Sequence, residues 1–94
     1  MTENKYEKLS QKVKVKNALG LHARPATVIA KLLQGSRSTV FFTYRKESVN
    51  ARSMMSVLML AATKNSHILI EVEGEDAQEV MAKLISAFEH QFGE

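Results

Sequence analysis

The stretch "HILIEVEGEDAQEVMAKLISAFEH", residues 67–90, changes its hydrophobic period part-way along. Its first seven residues alternate: Ile68, Ile70 and Val72 share one face, Glu71 and Glu73 the other, as a half-buried strand requires. From Ala77 the apolar residues recur every three or four positions. Ala77, Val80, Met81, Leu84, Ile85 and Phe88 form the stripe of an amphipathic helix. Asp76, three residues before Glu79, has capping-box-like spacing for the helix start. A one-faced strand followed by a one-striped helix predicts a layered domain with its core between sheet and helices.

The same two periods recur upstream. "LSQKVKVKN", residues 9–17, alternates Val13 and Val15 with Lys12, Lys14 and Lys16, which reads as a strand with a solvated lysine face. After the connection "NALGLH", Ala26, Ile29, Ala30 and Leu33, widened by Val28 and Leu32, predict a helix from Ala23. Gly35 stands where a left-handed residue ends it. "STVFFTY", residues 38–44, is a second strand with Val40, Phe42 and Tyr44 on one face, and "ESVNA", residues 47–51, a short third. Arg45 and Lys46 must turn the chain between them, although tight hairpins favour Asn or Gly there. "ARSMMSVLMLAATK", residues 51–64, is a second helix, with Ser53 as its cap or in its first turn and Asn65 able to end it. Residues 1–8 read as a short mobile tail on one domain spanning 1–94. The order β-α-β-β-α-β-α predicts an α+β open-faced sandwich, with a four-stranded antiparallel sheet, three helices on one face and water on the other.

Composition narrows the function. The chain has 94 residues, 13 basic and 10 acidic, with no Cys, no Trp and 45% hydrophobic residues. Without cysteine there is neither a disulfide framework nor a thiolate metal site, and three scattered histidines predict no metal and no cofactor. His67 and His90 read as surface residues. No apolar run approaches the length of a membrane span and the N-terminus has no apolar targeting core, so a cytoplasmic location is expected, with no membrane partner. The net charge of +3 favours acidic partners through steering. Nucleic acid is not expected as a partner, because there is no basic block, glycine clamp or exposed aromatic platform.

The chemistry concentrates in "GLHARPA", residues 20–26. A helix N-terminus presents unpaired N–H groups and the positive end of its dipole, which suit a phosphate. His22 at the cap position can accept a backbone hydrogen bond on one ring nitrogen. The dipole would keep it neutral, leaving the other nitrogen nucleophilic. Arg24 offers a fork for phosphate oxygens. Pro25 fits the first turn, where its missing N–H costs nothing. Gly20 lets the backbone bend and leaves room for a partner. Taken singly, each has a structural explanation: a cap, a solvated charge, a helix-start proline. Together they describe one candidate phosphate site.

"GLHARPA", the helix ending at Gly35, and "NARSMMSVLML" some way on resemble the HPr family of phosphocarriers in the phosphoenolpyruvate-dependent sugar phosphotransferase system. The resemblance runs from about residue 9 to the end of the sequence. It implies that His22 accepts a phosphoryl group on Nδ1 from enzyme I and passes it to an enzyme IIA domain, with Arg24 on the phosphoryl oxygens. It further implies a stoichiometric carrier, expected as a monomer, and not an enzyme with turnover. Ser53 matches a serine modified in some bacteria by an HPr kinase/phosphorylase, and the alternative for it is a plain helix cap. Met54, Met55 and Leu58 match a docking patch suited to several partners, with core packing the alternative for the methionines. Lys31 and Arg52 flank that patch as steering cations. Phosphate on Ser53 would add about −1.5 to −2 charges there.

Leu19 departs from the small polar residue of many sugar-type carriers and is closer to the nitrogen-related branch. Ala61 and Asn65 replace common glycines, and Arg45-Lys46 an Asn-Gly-like turn. A second function class is a regulatory module of the same fold that acts through Ser53 on a transcriptional regulator, against which His22 argues.

Overall fold

The computed structural model describes residues 8–94. The expected tail therefore lies outside the described residues, apart from Lys8, which already belongs to a strand. In chain order the elements are β1 (Lys8–Lys14), α1 (Ala23–Leu33), β2 (Ser38–Tyr44), β3 (Glu47–Asn50), α2 (Met54–Met59), β4 (His67–Gly74) and α3 (Ala77–Glu89), followed by a 3-10 turn at Gln91–Gly93. The strands form one antiparallel sheet in the order β1-β4-β2-β3. This is the α+β open-faced sandwich predicted from the two hydrophobic periods.

β4 is central, pairing Ile70 with Gln11 on one side and with Phe42 on the other. Its inward residues Ile68, Ile70 and Val72 are fully buried. Each contributes on the order of 1.5–3 kcal/mol by leaving water. The helices cover them with Ile29 and Leu33 from α1, Val57 from α2, and Leu84 and Phe88 from α3. The Phe88 ring meets Phe42 edge-on at 5.8 Å and Phe92 at 4.8 Å, so the 3-10 turn is anchored to the same core. On the other face, Lys8 of β1 lies opposite Glu73 of β4 in register and pairs with Glu71 by charge at 3.4 Å, while Lys12 and Lys14 lie opposite Leu69 and His67.

Three local expectations are corrected. First, α2 has six residues and stops at Met59, well short of Asn65. Ala61 takes a left-handed φ of 53°, and the next carbonyl, Ala62, accepts from Leu21 N, so the chain leaves the helix to brace the segment before α1. Asn65 is left-handed as expected, but in the turn before β4. Second, Asp76 precedes α3 without capping it through its side chain. Its carboxylate accepts instead from the Ser38 hydroxyl and Arg37 N, while Glu79 pairs with Lys83 one turn on. Third, Gly20 does not make room for a partner. It is buried at φ 68°, and a Cβ there would lie 2.1 Å from the Ala62 carbonyl oxygen. Only glycine allows this approach.

Arg45, at φ 58°, makes the β2–β3 hairpin without Asn or Gly. Its guanidinium lies 5.2 Å from the Tyr44 ring centre, a contact that offsets part of the strain.

Candidate functional site

The segment between β1 and α1 places the site. Val15 extends the β1 ladder through bonds to Ser66 O and Asn65 N, and Asn17, fully buried, begins the turn that Gly20 closes by donating to Asn17 O. Leu21 is then tied to Ala62, and His22 arrives at the N-cap of α1 with its carbonyl accepting from Ala26 N at 3.0 Å. Pro25 lies buried in the first turn, and no acidic residue occupies that turn. Helix geometry leaves the amides of Ala23 and Arg24 without intrahelical partners, so the positive end of α1 faces outward beside the imidazole.

The expected side-chain cap is absent: the His22 ring makes no cap hydrogen bond. It turns to Glu94, whose two carboxylate oxygens both lie 3.1 Å from Nε2. With Nε2 so engaged, Nδ1 is the ring nitrogen left for chemistry. The His22 side chain is 28% exposed, enough for access by a partner without full solvation. Arg24, 75% exposed, brings Nε to 3.7 Å from Glu94. It stands beside the ring with room to move.

Glu94 is positioned from behind. Asn17 Nδ2 donates to Gln91 O at 2.8 Å and to Glu94 Oε1. Burial pushes the Glu94 carboxyl up, but hydrogen bonds from Asn17 and His22 and the charges of His22 and Arg24 outweigh it. They hold the group below its usual range. Neither Glu94 nor Asn17 was among the sequence-predicted site residues. They meet across 77 positions and Glu94 meets His22 across 72, so no local spacing marks them.

The second motif lies where α2 packs on α1. Ser53 is the N-cap of α2, its hydroxyl accepting from Ser56 N at 3.2 Å, and it is exposed. Met54 and Met55 are 44% and 66% exposed, which sets aside core packing for both, whereas Leu58 leans on the core. Thr27 of α1 donates to Met54 Sδ at 3.5 Å, linking this patch to the helix that His22 begins. Met59, 75% exposed, extends the thioether surface and was not predicted. Lys31 is exposed on α1, beside the groove it shares with Arg52.

Arg52 is not a free steering cation. Its guanidinium donates to the carbonyls of Leu33, Ser36 and Ser38, closing the C-terminal end of α1. Among the described residues no three metal-type side chains gather, and no helix is long and apolar enough to cross a membrane.

Comparison with known proteins agrees with this fold. Residues 9–90 match the family model described as the PTS HPr component phosphorylation site. The phosphocarrier protein HPr of Chlamydia pneumoniae is 41% identical over 99% of this chain and 86% of its own length. Among solved structures, HPr-C-His from Thermoanaerobacter tengcongensis superposes with a TM-score of 0.87 at 29% identity, over 92% of this chain and 97% of that one. HPr from Bacillus anthracis gives 0.81 at 31% identity, covering 86% and 96%. With the family's phosphorylation-site model spanning both motifs and nearly the whole sheet, this chain belongs to the HPr family, the phosphocarriers of the phosphotransferase system.

Proposed function

We propose that His22 accepts a phosphoryl group on Nδ1 from phosphorylated enzyme I and passes it to an enzyme IIA domain. The observation that supports this most is the engagement of Nε2 by Glu94 at the open N-terminus of α1, which leaves Nδ1 as the free nitrogen. Phosphoryl transfer asks mainly for positioning and charge stabilisation. The Ala23 and Arg24 amides, the helix dipole and the Arg24 fork are suited to supply both. The exposed thioethers of Met54 and Met55, with the half-buried Leu58 beneath, offer an adaptable surface on which different partners can dock. Lys31 adds a cation at its margin. Arg52 contributes there chiefly by fixing the end of α1, and Gly20 by seating its beginning.

Ser53 is the proposed regulatory position. Exposed at a helix start, its hydroxyl is open to an HPr kinase/phosphorylase, and the added negative charge would repel an acidic partner from the neighbouring patch. The carrier is proposed to act as a cytoplasmic monomer without a cofactor.

Incubation with phosphoenolpyruvate and enzyme I tests the reading. One acid-labile, base-stable phosphate per chain is expected, transferable to an enzyme IIA domain. Full labelling of His22→Ala would refute it.

A further inference from the structure

Among the described residues, the charged groups beside the His22 ring are Glu94 and Arg24. Asn17, Ala18, Leu19 and Gln91 complete the hollow in which the ring lies, and none is charged. Glu94 is held there by several independent contacts. Phe92, 7% exposed, packs its ring on Phe88 and fixes the 3-10 turn. Gln91 and Phe92 both take left-handed φ values of 55°, a costly backbone for residues with side chains, which brings Glu94 back over the start of α1. Asn17 commits both protons of its amide, to Gln91 O and to the Glu94 carboxylate. A buried polar side chain, a core aromatic and a strained turn thus serve a single carboxylate.

We propose that Glu94 is a positioning residue for phosphoryl exchange, its carboxylate keeping the ring proton of His22 on Nε2 while Nδ1 alone makes and breaks the bond to phosphorus. This rests on the phosphocarrier reading above. In the accepting direction the Nδ1 lone pair forms the N–P bond, and the bond from phosphorus to the donor breaks with its electron pair returning to the donor atom. The proton stays on Nε2, and the ring acquires a positive charge that faces the Glu94 carboxylate. In the donating direction the N–P bond breaks, its electron pair returns to Nδ1, and a neutral imidazole departs. No proton moves in either direction. Without a carboxylate, a phosphorylated ring can lose its Nε2 proton to solvent and would then have to leave as an anion, a far poorer leaving group. The division of labour parallels that of hydrolase triads, in which a carboxylate orients the imidazole and stabilises its cation without taking the proton. Arg24 gains a second role: the incoming phosphoryl oxygens compete with Glu94 for its guanidinium, which is exposed and held to Glu94 only at 3.7 Å.

The experiment compares the wild-type chain with Glu94→Gln and Glu94→Ala, using phosphorylated enzyme I as donor and an enzyme IIA domain as acceptor. Nitrogen-15 NMR of the His22 ring is recorded before and after phosphorylation. The wild-type chain is expected to show a slowly exchanging proton on Nε2, lost to solvent exchange in Glu94→Ala. Glu94→Gln, which retains an acceptor oxygen without the charge, should keep part of that signal. Acceptance and donation should slow together, roughly three- to tenfold in Glu94→Ala. The deficit should widen at alkaline pH, and Glu94→Gln should recover part of it. A Glu94→Ala chain exchanging phosphate at the wild-type rate, with the ring proton unchanged, overturns the role of Glu94 and leaves the carrier intact. A wild-type chain that takes no phosphate on His22 overturns the carrier reading instead, and the unphosphorylated ring signal still judges the Glu94 contact.

Discussion

The two ends of α1 are finished in opposite ways. At the C-terminal end the guanidinium of Arg52 is spent on three carbonyls, those of Leu33, Ser36 and Ser38, and the Asp76 carboxylate gathers Arg37 N and the Ser38 hydroxyl from the same connection. At the N-terminal end the amides of Ala23 and Arg24 have no intrahelical partner, the cap residue offers only its carbonyl, and the nearest anion arrives from residue 94. Both ends receive the charge that suits the helix dipole, a cation at the C-terminus and an anion at the N-terminus. One charge is locked and the other displaceable. Under the proposed function, the open end of α1 holds an exchangeable phosphate, and the closed end supplies the rigidity that the open end gives up.

The comparison can be broken most severely beneath the open end. Gly20→Ala would place a methyl group against the Ala62 carbonyl in a left-handed backbone, and a loss of roughly 3 kcal/mol in urea unfolding is expected. At the closed end, Arg52→Ala would strand carbonyls that a charged donor now satisfies. It should cost about 2 kcal/mol by the same measurement, with Arg52→Lys recovering only part because one ammonium cannot reach all three. Ala61→Gly relieves the left-handed strain in the segment that braces Gly20. A gain of about 0.5–1 kcal/mol is expected, read as a higher urea midpoint.

The smallest effect is a dependence on pH at the closed end. Hydrogen bonds from Ser38 and from the Arg37 backbone hold the Asp76 carboxyl below its ordinary value of 3.8. A carboxylate lowered in the folded state stabilises the fold above its unfolded value, and this contribution fades as pH falls through the lowered one. The stability gap between the wild-type chain and Asp76→Asn should therefore be full at neutral pH and close on acidification below about 4. Urea midpoints measured across that range would show it, and a gap independent of pH would contradict it.

The layers of this fold were legible because they follow from periodicity. The buried inward row Ile68, Ile70 and Val72 and the α3 stripe from Ala77 to Phe88 follow from spacing alone. His22 and Arg24 were legible as a pair because their chemistry and their place at a helix start are adjacent in the chain. Partners distant in sequence were not. Asp76 looks like a helix cap until β2 presents Ser38 and Arg37. Arg52 looks like a surface cation until the end of α1 arrives beside it. His22 looked like a side-chain cap because nothing near it in sequence announces Glu94. For Asp76, a local capping preference worth about 1 kcal/mol yielded to hydrogen bonds from a distant strand.

The sheet order carries a separate consequence, for self-association. β1 and β3 are the outer strands, and β3 is only four residues long, too short to template another strand well. β1 is longer, but an antiparallel pairing of two copies centred on Gln11 would set Lys8 against Lys14 and Ser10 against Lys12. Like charges directly opposite destabilise such a ribbon. The lysine row that first marked this strand as half-solvated is also what discourages two molecules from joining along their margins.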